Sequence, residues 1–328
     1  MLTLQCEIKI HNIDSGKTVS FNYANSIEVK TSCKNLTDTA TVKVPRKMSW
    51  MGKPLTDFVR RNDEITISMG YKEHGLETVF KGYVSRVENS TPIVIECENE
   101  MRLFKTITVK AEIIPNFNIK NFIRRYAPGV EVVGPDIDFG TVTIQEQNLS
   151  QALDKLMDSF GWFKGFFRDG KFIAVTDLAA IAGNKTFTFD PERNMIKDQL
   201  KYTLSEDVKI AVKAVHINRD NTKIEVTVPE EAKSDNDYEQ RQFFYPEYDT
   251  EQSLREAAEK TQKEFVCDKM EGKITAFGVP FVRKCDIVRL KDRQRKERDG
   301  KRFWVDAVDY SFGTEGYRQT ITLGYQLH

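Results

Sequence analysis

Histidine is scarce in this chain. There are four among 328 residues, and none of His11, His74, His216 and His328 stands at ligand spacing from another His or a Cys. That excludes His-Glu-x-x-His chemistry and short-range metal patterns built on His and Cys. Cysteine is equally thin. Cys6, Cys33, Cys97, Cys267 and Cys285 are scattered, odd in number and never paired as Cys-x-x-Cys. This argues against a disulfide framework and a zinc site, and for folding in a reducing cytosol. An excess of one charge is also missing, because 49 basic residues meet 49 acidic ones. The chain therefore lacks the global basic excess of a nucleic-acid binder, and a net charge near zero favours association. No apolar run is long enough to span a bilayer, so no membrane insertion is expected. The opening MLTLQCEIKI has no basic segment followed by an apolar one, which points to synthesis in the cytoplasm without a signal peptide.

Catalytic motifs are missing as well. Asp14-Ser15-Gly16-Lys17-Thr18 resembles the end of a P-loop, but His11 occupies the place of the required first glycine. The residues that follow read as strand rather than as the helix that would cradle phosphate. No Gly-x-Ser-x-Gly elbow marks a nucleophile, and no carboxylate pair stands out for glycoside chemistry. His216 lies among apolar residues and reads as a packed histidine. No catalytic, cofactor-binding or metal residue is assigned, no cofactor is expected, and the chain reads as a non-enzyme.

What is present is a succession of strands. Ser26–Ser32 and Thr39–Val44 flank a turn-like stretch. Ile65, Ile67, Met69 and Tyr71 alternate with polar residues at the period of a half-buried strand. VFKGYVSRVE and PIVIECENE continue that pattern. After about residue 105 the spacing changes. Ile119, Phe122, Ile123 and Tyr126 predict one short helix. Leu149, Leu153, Leu156, Met157 and Phe160 predict a second, with Asn148 as N-cap, Gln151 completing a capping box and Gly161 as the stop. The stretch WFKGFFRDGKFIAV reads as a hairpin turning at Asp169-Gly170. Its aromatics (Trp162, Phe163, Phe166, Phe167 and Phe172) read as core. Strands return from about residue 201, with a hairpin turning over Asn218–Asn221. A helix is predicted over Ser253–Val266, with Ser253 and Glu256 spaced as a capping box. Three final strands are CDIVRL, RFWVDAVDY and YRQTITLGYQ.

The two β-rich regions look like copies of one plan. Each has a hairpin ending in Val-x-Val-Pro, at Val42–Pro45 and Val226–Pro229. Each then has a strand opening with Asp, at Asp63 and Asp286, and a strand led by Phe80 or Phe303, 17 residues beyond its Asp in both copies. The expected fold is α+β, mainly β, with two similar small β-barrels joined by an α+β insert. The boundaries are 1–105 for the first barrel, 106–185 for the insert and 186–328 for the second barrel with an extra helix. Two charged stretches remain. The basic Lys291–Arg302 reads as a solvated hairpin tip, and the acidic Pro229–Gln240 as a flexible loop. Their opposite signs would let them meet across a subunit boundary, through residues such as Arg295 and Arg298.

The run GVPFVRKCDIVRLKD…GKRFWVDAVDYSFGTEGYRQTITLGYQ resembles the baseplate hub family of contractile-tailed phages. That family includes the late control protein D group and the Mu-like tail hub, and is related to the N-terminal part of type VI secretion spike proteins. SIEVKTSCKNLTDTATVKVP and NDEITISMGY…VFKGYVSRVE resemble the family's first barrel, and LSQALDKLMDSFGWFKGFFRDGKFIAV its inserted domain. Asn62 and Cys285 stand where the family pattern has Gly before the strand-opening Asp. The resemblance implies a homotrimer whose six barrels make a pseudo-six-fold ring. Such a ring joins the tail tube to the central spike protein and serves as a conduit for DNA or effectors, without catalysis. It implies assembly in the bacterial cytoplasm and a final place in the virion tail baseplate. A cell-wall or carbohydrate-binding β protein, and the hub of a non-phage injection system, are the alternatives.

Overall fold

The computed structural model describes residues 3–136, 139–160, 163–175, 185–203, 209–217, 222–235, 237–245, 250–266 and 269–327. Gly161, Trp162, Asn218–Asn221, Cys267 and His328 lie outside the described residues. The chain divides into two compact units, one of residues 1–199 with 273–328 and one of residues 200–272.

In the first unit, strands β1 (Leu4–His11), β2 (Thr18–Phe21), β3 (Ser26–Ser32) and β4 (Thr39–Val44) are followed by β5 (Glu64–Tyr71), β6 (Gly75–Glu88) and β7 (Ile93–Glu98). They form where apolar side chains alternate with polar ones. Cys6, Ile8 and Ile10 of β1 and Ile65, Ile67 and Met69 of β5 are all buried, and β1 pairs antiparallel with β5. The P-loop-like residues form the tight turn between β1 and β2, with Gly16 at φ +65° and the Ser15 N–H donating to Asn12 Oδ1 at 2.8 Å. A strand follows that turn, as the sequence predicts.

Helices α1 (Met101–Phe104), α2 (Ile119–Tyr126) and α3 (Leu149–Ser159) come next, then the hairpin β8 (Lys164–Arg168) and β9 (Lys171–Val175). The α3 capping box is present. The Gln151 N–H donates to Asn148 Oδ1 at 2.9 Å, and the Asn148 N–H donates to Gln151 Oε1 at 3.2 Å. Asp169 and Gly170 both have positive φ, as a type I′ turn requires. The near-continuous apolar sequence of this hairpin has a packing cause, because both its faces are covered. Phe163, Phe167, Phe172 and Ala174 pack with the α2 and α3 stripes, while Phe166, Ile173 and Val175 pack with Cys33, Cys285 and Trp304. Phe163, Phe166, Phe167 and Phe172 are core, as the sequence predicts.

The remaining strands are β10 (Thr186–Phe189), β11 (Met195–Thr203), β12 (Ile210–Ile217), β13 (Lys223–Val228) and β14 (Glu239–Phe244). After helix α4 (Glu251–Phe265) come β15 (Lys269–Phe277), β16 (Ile287–Leu290), β17 (Arg302–Gly313) and β18 (Gly316–Leu327). The chain passes into the second unit within β11 and returns within β15. In the second unit β12 pairs with β13 antiparallel and with β14 parallel. Leu254 and Ala258 of α4 pack on Val212, Ala214, Val226 and Val228. The α4 N-cap is Thr250 rather than Ser253: its hydroxyl accepts from the Ser253 N–H at 3.2 Å, so the helix starts two residues before the predicted boundary. His216 is buried and its Nδ1 bonds to the Tyr245 carbonyl at 2.9 Å, the packed role expected of it. The acidic Pro229–Gln240 is largely structured. It holds a 3-10 turn over Glu230–Lys233 that buries Ala232, and then the start of β14.

Apart from β12, β13 and β14, the strands of both β-rich regions join one 13-stranded sheet, in the order β11-β15-β18-β17-β3-β4-β7-β6-β5-β1-β2, with β16 beside β17 and β10 beside β16. Two separately closed barrels are not found among the described residues. The physical reason is that β3 of the first copy is hydrogen-bonded to β17 of the second, from Ile27↔Phe312 to Ser32↔Ala307. The mixed, mainly β character holds; the closure does not.

Candidate functional site

The repeat is sharper in three dimensions than in the sequence, and it centres on Asp63 and Asp286. Both are buried. Asp63 accepts from the Arg60 N–H at 2.7 Å, and Asp286 from the Arg283 N–H at 2.8 Å. The residue before each Asp has positive φ, +73° at Asn62 and +67° at Cys285. This is the backbone reason for expecting Gly there. The Asn62 N–H donates to the Val84 carbonyl and the Val84 N–H to that of Asp63. Cys285, Val305 and Asp286 repeat the same two bonds, all at 2.8–2.9 Å.

From these anchors the strands align. The order β3-β4-β7-β6-β5 matches β11-β15-β18-β17-β16. The register also shifts at the same place, between Val84 and Arg86 in β6 and between Val305 and Ala307 in β17. Two features of the sequence reading are corrected. The Val226–Pro229 hairpin is not the counterpart of Val42–Pro45. Its strands belong to the separate three-stranded sheet of residues 200–272, which is inserted between the true counterparts β11 and β15. The equal Asp-to-Phe spacing is a two-residue slip. Ile65, two beyond Asp63, pairs with Gly82, whereas Val288, two beyond Asp286, pairs with Phe303. Phe303 thus corresponds to Gly82, not to Phe80.

The seam where β3 meets β17 is densely bonded. The Cys33 N–H donates to the Asp306 carbonyl at 2.8 Å, and Thr31 Oγ1 donates to the Val308 carbonyl at 2.9 Å. Lys284, in the loop before β16, donates from Nζ to Asp38 Oδ2 at 2.6 Å and to the Ser32 carbonyl at 3.2 Å, and lies 5.0 Å from the centre of the Phe166 ring. The side chains of both Lys284 and Asp38 are under 10 % exposed. Burial pushes the Asp38 carboxyl up, and the Lys284 ammonium pulls against that. Burial, with the Asp38 charge adding to it, also raises the Glu100 carboxyl. Cys33 and Cys285 are joined as a disulfide across the same seam, 252 residues apart in sequence. That corrects the expectation of no disulfide, since spacing along the chain is silent about a pair brought together by strand pairing. Cys6 and Cys97 are buried free thiols, both pushed up by burial, Cys6 to about 11.

A cavity of about 290 Å³ opens beside the seam, lined by Asp38, Lys81, Glu100, Arg168, Lys284 and Tyr310 among others. Three of its cations are paired, Arg168 3.4 Å from Asp286, Arg283 2.8 Å from Asp169 and Lys284 2.6 Å from Asp38. Among the described residues no group of three or more His, Cys, Asp or Glu side chains could hold a metal ion. The basic loop is also tied into its own chain. Arg298 is buried and bonded to Asp292 and, at 3.1 Å, to Asp198, so its charge is used internally rather than offered to a neighbour. Arg295 is exposed.

In the first copy, the β6 edge that corresponds to the β3-bearing edge of β17 is open. Among the described residues no strand pairs with Ser85–Glu88 on the side opposite β7. A groove of about 600 Å³ runs along it, lined by Val59, Arg60, Arg61, Ser85, Arg86 and Val87 among others.

No protein-family model matches this sequence, and no curated protein matches it. Solved structures do share the fold. A tail protein of prophage MuSo2 from Shewanella oneidensis superposes with a TM-score of 0.66 at 12% identity, covering 98% of both chains. A tail protein from Neisseria meningitidis gives 0.66 at 11%, covering 98% of this chain and 96% of that one. An Escherichia coli component of the type VI secretion system, itself described as similar to the phage tail proteins gp27 and gp5, gives 0.57 at 10%, covering 97% of this chain and 76% of that one. The chain has the fold of phage tail proteins of the baseplate hub kind, mixed α+β and mainly β.

Proposed function

We propose that this chain is a structural baseplate hub subunit of a phage-type contractile tail, of the late control protein D and Mu-like hub group. It acts by assembly, with no catalytic step. The observation that carries the reading is the internal repeat, in which the loops at Asp63 and Asp286 make the same set of backbone bonds. A chain with two equivalent strand sets presents nearly the same surface twice. Three such chains arranged about one axis offer six near-equivalent faces to a six-fold tail tube and three true ones to a trimeric spike. The domain plan of this reading is 1–105, 106–185 and 186–328, with residues 200–272 as an insertion in the last. The partners are two further copies of this chain, the spike protein and the tail tube, with the central opening as a conduit for DNA. Assembly takes place in the bacterial cytoplasm, and the finished ring resides in the virion tail baseplate. The carbohydrate-binding alternative needs exposed aromatics in the insert, and Phe163, Phe166, Phe167 and Phe172 are all buried.

The test is the mass of the purified chain by light scattering, alone and mixed with a candidate spike protein. A trimer in either condition is expected. A chain that stays monomeric and ignores the spike would overturn the reading. Capsid and terminase genes nearby would mark a phage, and their absence a dedicated injection device.

A further inference from the structure

Cys285 stands where the backbone does not call for cysteine. Its φ is +67°, a region that glycine and asparagine enter readily and most other residues resist. Asn62 holds the same position in the first copy, is exposed, and accepts from Arg102 through its side chain. Cys285 is instead fully buried, and its sulfur is bonded to Cys33, one residue past the end of β3. A disfavoured conformation is thus kept at a place where a thiol reaches across the seam. The seam itself is set without that bond. The β3–β17 ladder runs its length, and Lys284, next to Cys285, ties the same loop to the Ser32 carbonyl and to Asp38. Phe166, Ile173, Val175 and Trp304 pack around the two cysteines and close them off from solvent.

We propose that Cys33 and Cys285 form a redox lock on the seam: the chain folds and assembles as the dithiol and is bonded after it leaves the reducing cytoplasm. The lock rests on the seam alone, and its timing rests on the hub reading. The oxidant is a low-molecular-weight disulfide such as oxidised glutathione. One protein thiolate attacks it, so that a mixed disulfide forms, the small molecule's own S–S bond breaks and one small thiol departs. The second protein thiolate then attacks the protein sulfur of the mixed disulfide, which forms Cys33–Cys285 and releases the second small thiol. Two protein thiols are oxidised, one small disulfide is reduced, and the two protons pass to the departing thiols. Because both sulfurs are buried, the exchange requires the loop before β16 to open locally, and later reduction meets the same barrier. A cross-link constrains the unfolded chain more the longer the loop it closes. This one spans 252 residues and joins one copy of the repeat to the other. Late closure stabilises the released protein without constraining the chain while it folds.

The experiment counts thiols and then melts the protein. Cells expressing the full-length chain are quenched in acid, and the chain is unfolded, alkylated and weighed by mass spectrometry. The same is done after the purified chain has been incubated with oxidised glutathione. All five cysteines are expected to be labelled from cells, and three after oxidation, with Cys33 and Cys285 the protected pair. Adding a reductant is expected to lower the melting temperature of the oxidised wild type by about 10 °C. Cys33→Ala and Cys285→Ala should each melt at one temperature with and without the reductant, a contrast that a packing role alone would not produce. Five labels after prolonged oxidation, or a wild-type melt that ignores the reductant, would overturn the lock. Protection already complete inside the cells would overturn its timing. Light scattering keeps the two readings apart. A chain that trimerises but shows no redox response would overturn the lock and leave the hub reading standing. A redox response in a chain that is monomeric with and without the spike would do the reverse.

Discussion

Lys284 is the clearest place to perturb the seam between the two copies. Lys284→Met keeps an aliphatic side chain of similar length and removes the ammonium, which leaves the Asp38 carboxylate buried with the Ser32 N–H at 3.0 Å as its remaining backbone donor. Removing one member of a buried ion pair costs about 3–5 kcal/mol, because the other is left charged and uncompensated. The carboxylate has an escape, which is to take a proton. At pH 7 that costs about 4 kcal/mol for a group of ordinary pKa, since each pH unit is about 1.4 kcal/mol, so protonation caps the loss near that figure. The same argument gives a sign. Burial already raises Asp38, and without Lys284 it rises further. The penalty for a raised carboxyl is full above its folded pKa and disappears as the pH falls towards the unfolded value. Urea unfolding should therefore show a loss of about 3–4 kcal/mol at pH 7 and about 1–2 kcal/mol at pH 5. Asp38→Asn combined with Lys284→Met should recover most of the pH 7 loss, because no buried charge remains. A loss under about 1 kcal/mol at pH 7, or an equal loss at both pH values, would refute the reasoning.

Two further perturbations address the loops. At Asn62, where φ is +73° and Oδ1 accepts from Arg102 Nε at 3.2 Å, Asn62→Val should destabilise by about 1–2 kcal/mol in urea unfolding. Asn62→Gly should stay within about 1 kcal/mol of wild type, since a β-branched residue resists the left-handed region and glycine does not. Equal effects of the two would contradict the assigned backbone. At Asp292, burial raises the carboxyl, but the N–H groups of Gln294 and Arg295 and the Arg298 guanidinium outweigh it and hold the group below its ordinary value. Its contribution is therefore present above the unfolded pKa, near 4, and is lost as the pH falls through the lower folded value. Asp292→Asn should be less stable than wild type at pH 7 and should approach it below about pH 4. A gap that widens on acidification would reverse the assignment.

Much of the local structure is legible without coordinates, because it depends on neighbours a few residues away. Alternation places Ile65, Ile67 and Met69 on one face of β5. Asn148 with Gln151 caps α3, and Asp169-Gly170 turns a hairpin. The repeat is visible too, through the two Asp-led strands. Its alignment goes astray where geometry intervenes. The bonds fixed by the two Asp loops set Phe303 opposite the place of Gly82, two residues from the spacing match. The 73-residue insertion of 200–272 separates β11 from β15, so a hairpin inside the insertion, bearing a chance Val-x-Val-Pro, takes the place of the true pair in a linear reading. Arg298 reads as one more surface cation in a charged run, yet Asp198, a hundred residues away, draws it inward.

The sequence by itself determined the elements, the mainly β class, the existence of two related halves and the core role of the insert's aromatics, because periodicity and turn chemistry act over a few residues. Only the tertiary structure decided which strands are partners. It put β3 of one half on β17 of the other, joined Cys33 to Cys285, buried Lys284 against Asp38 and, among the described residues, left Ser85–Glu88 without a strand on the side opposite β7. Strand partners are chosen by contacts between residues hundreds of positions apart, and no local pattern encodes which of several equally alternating strands will meet.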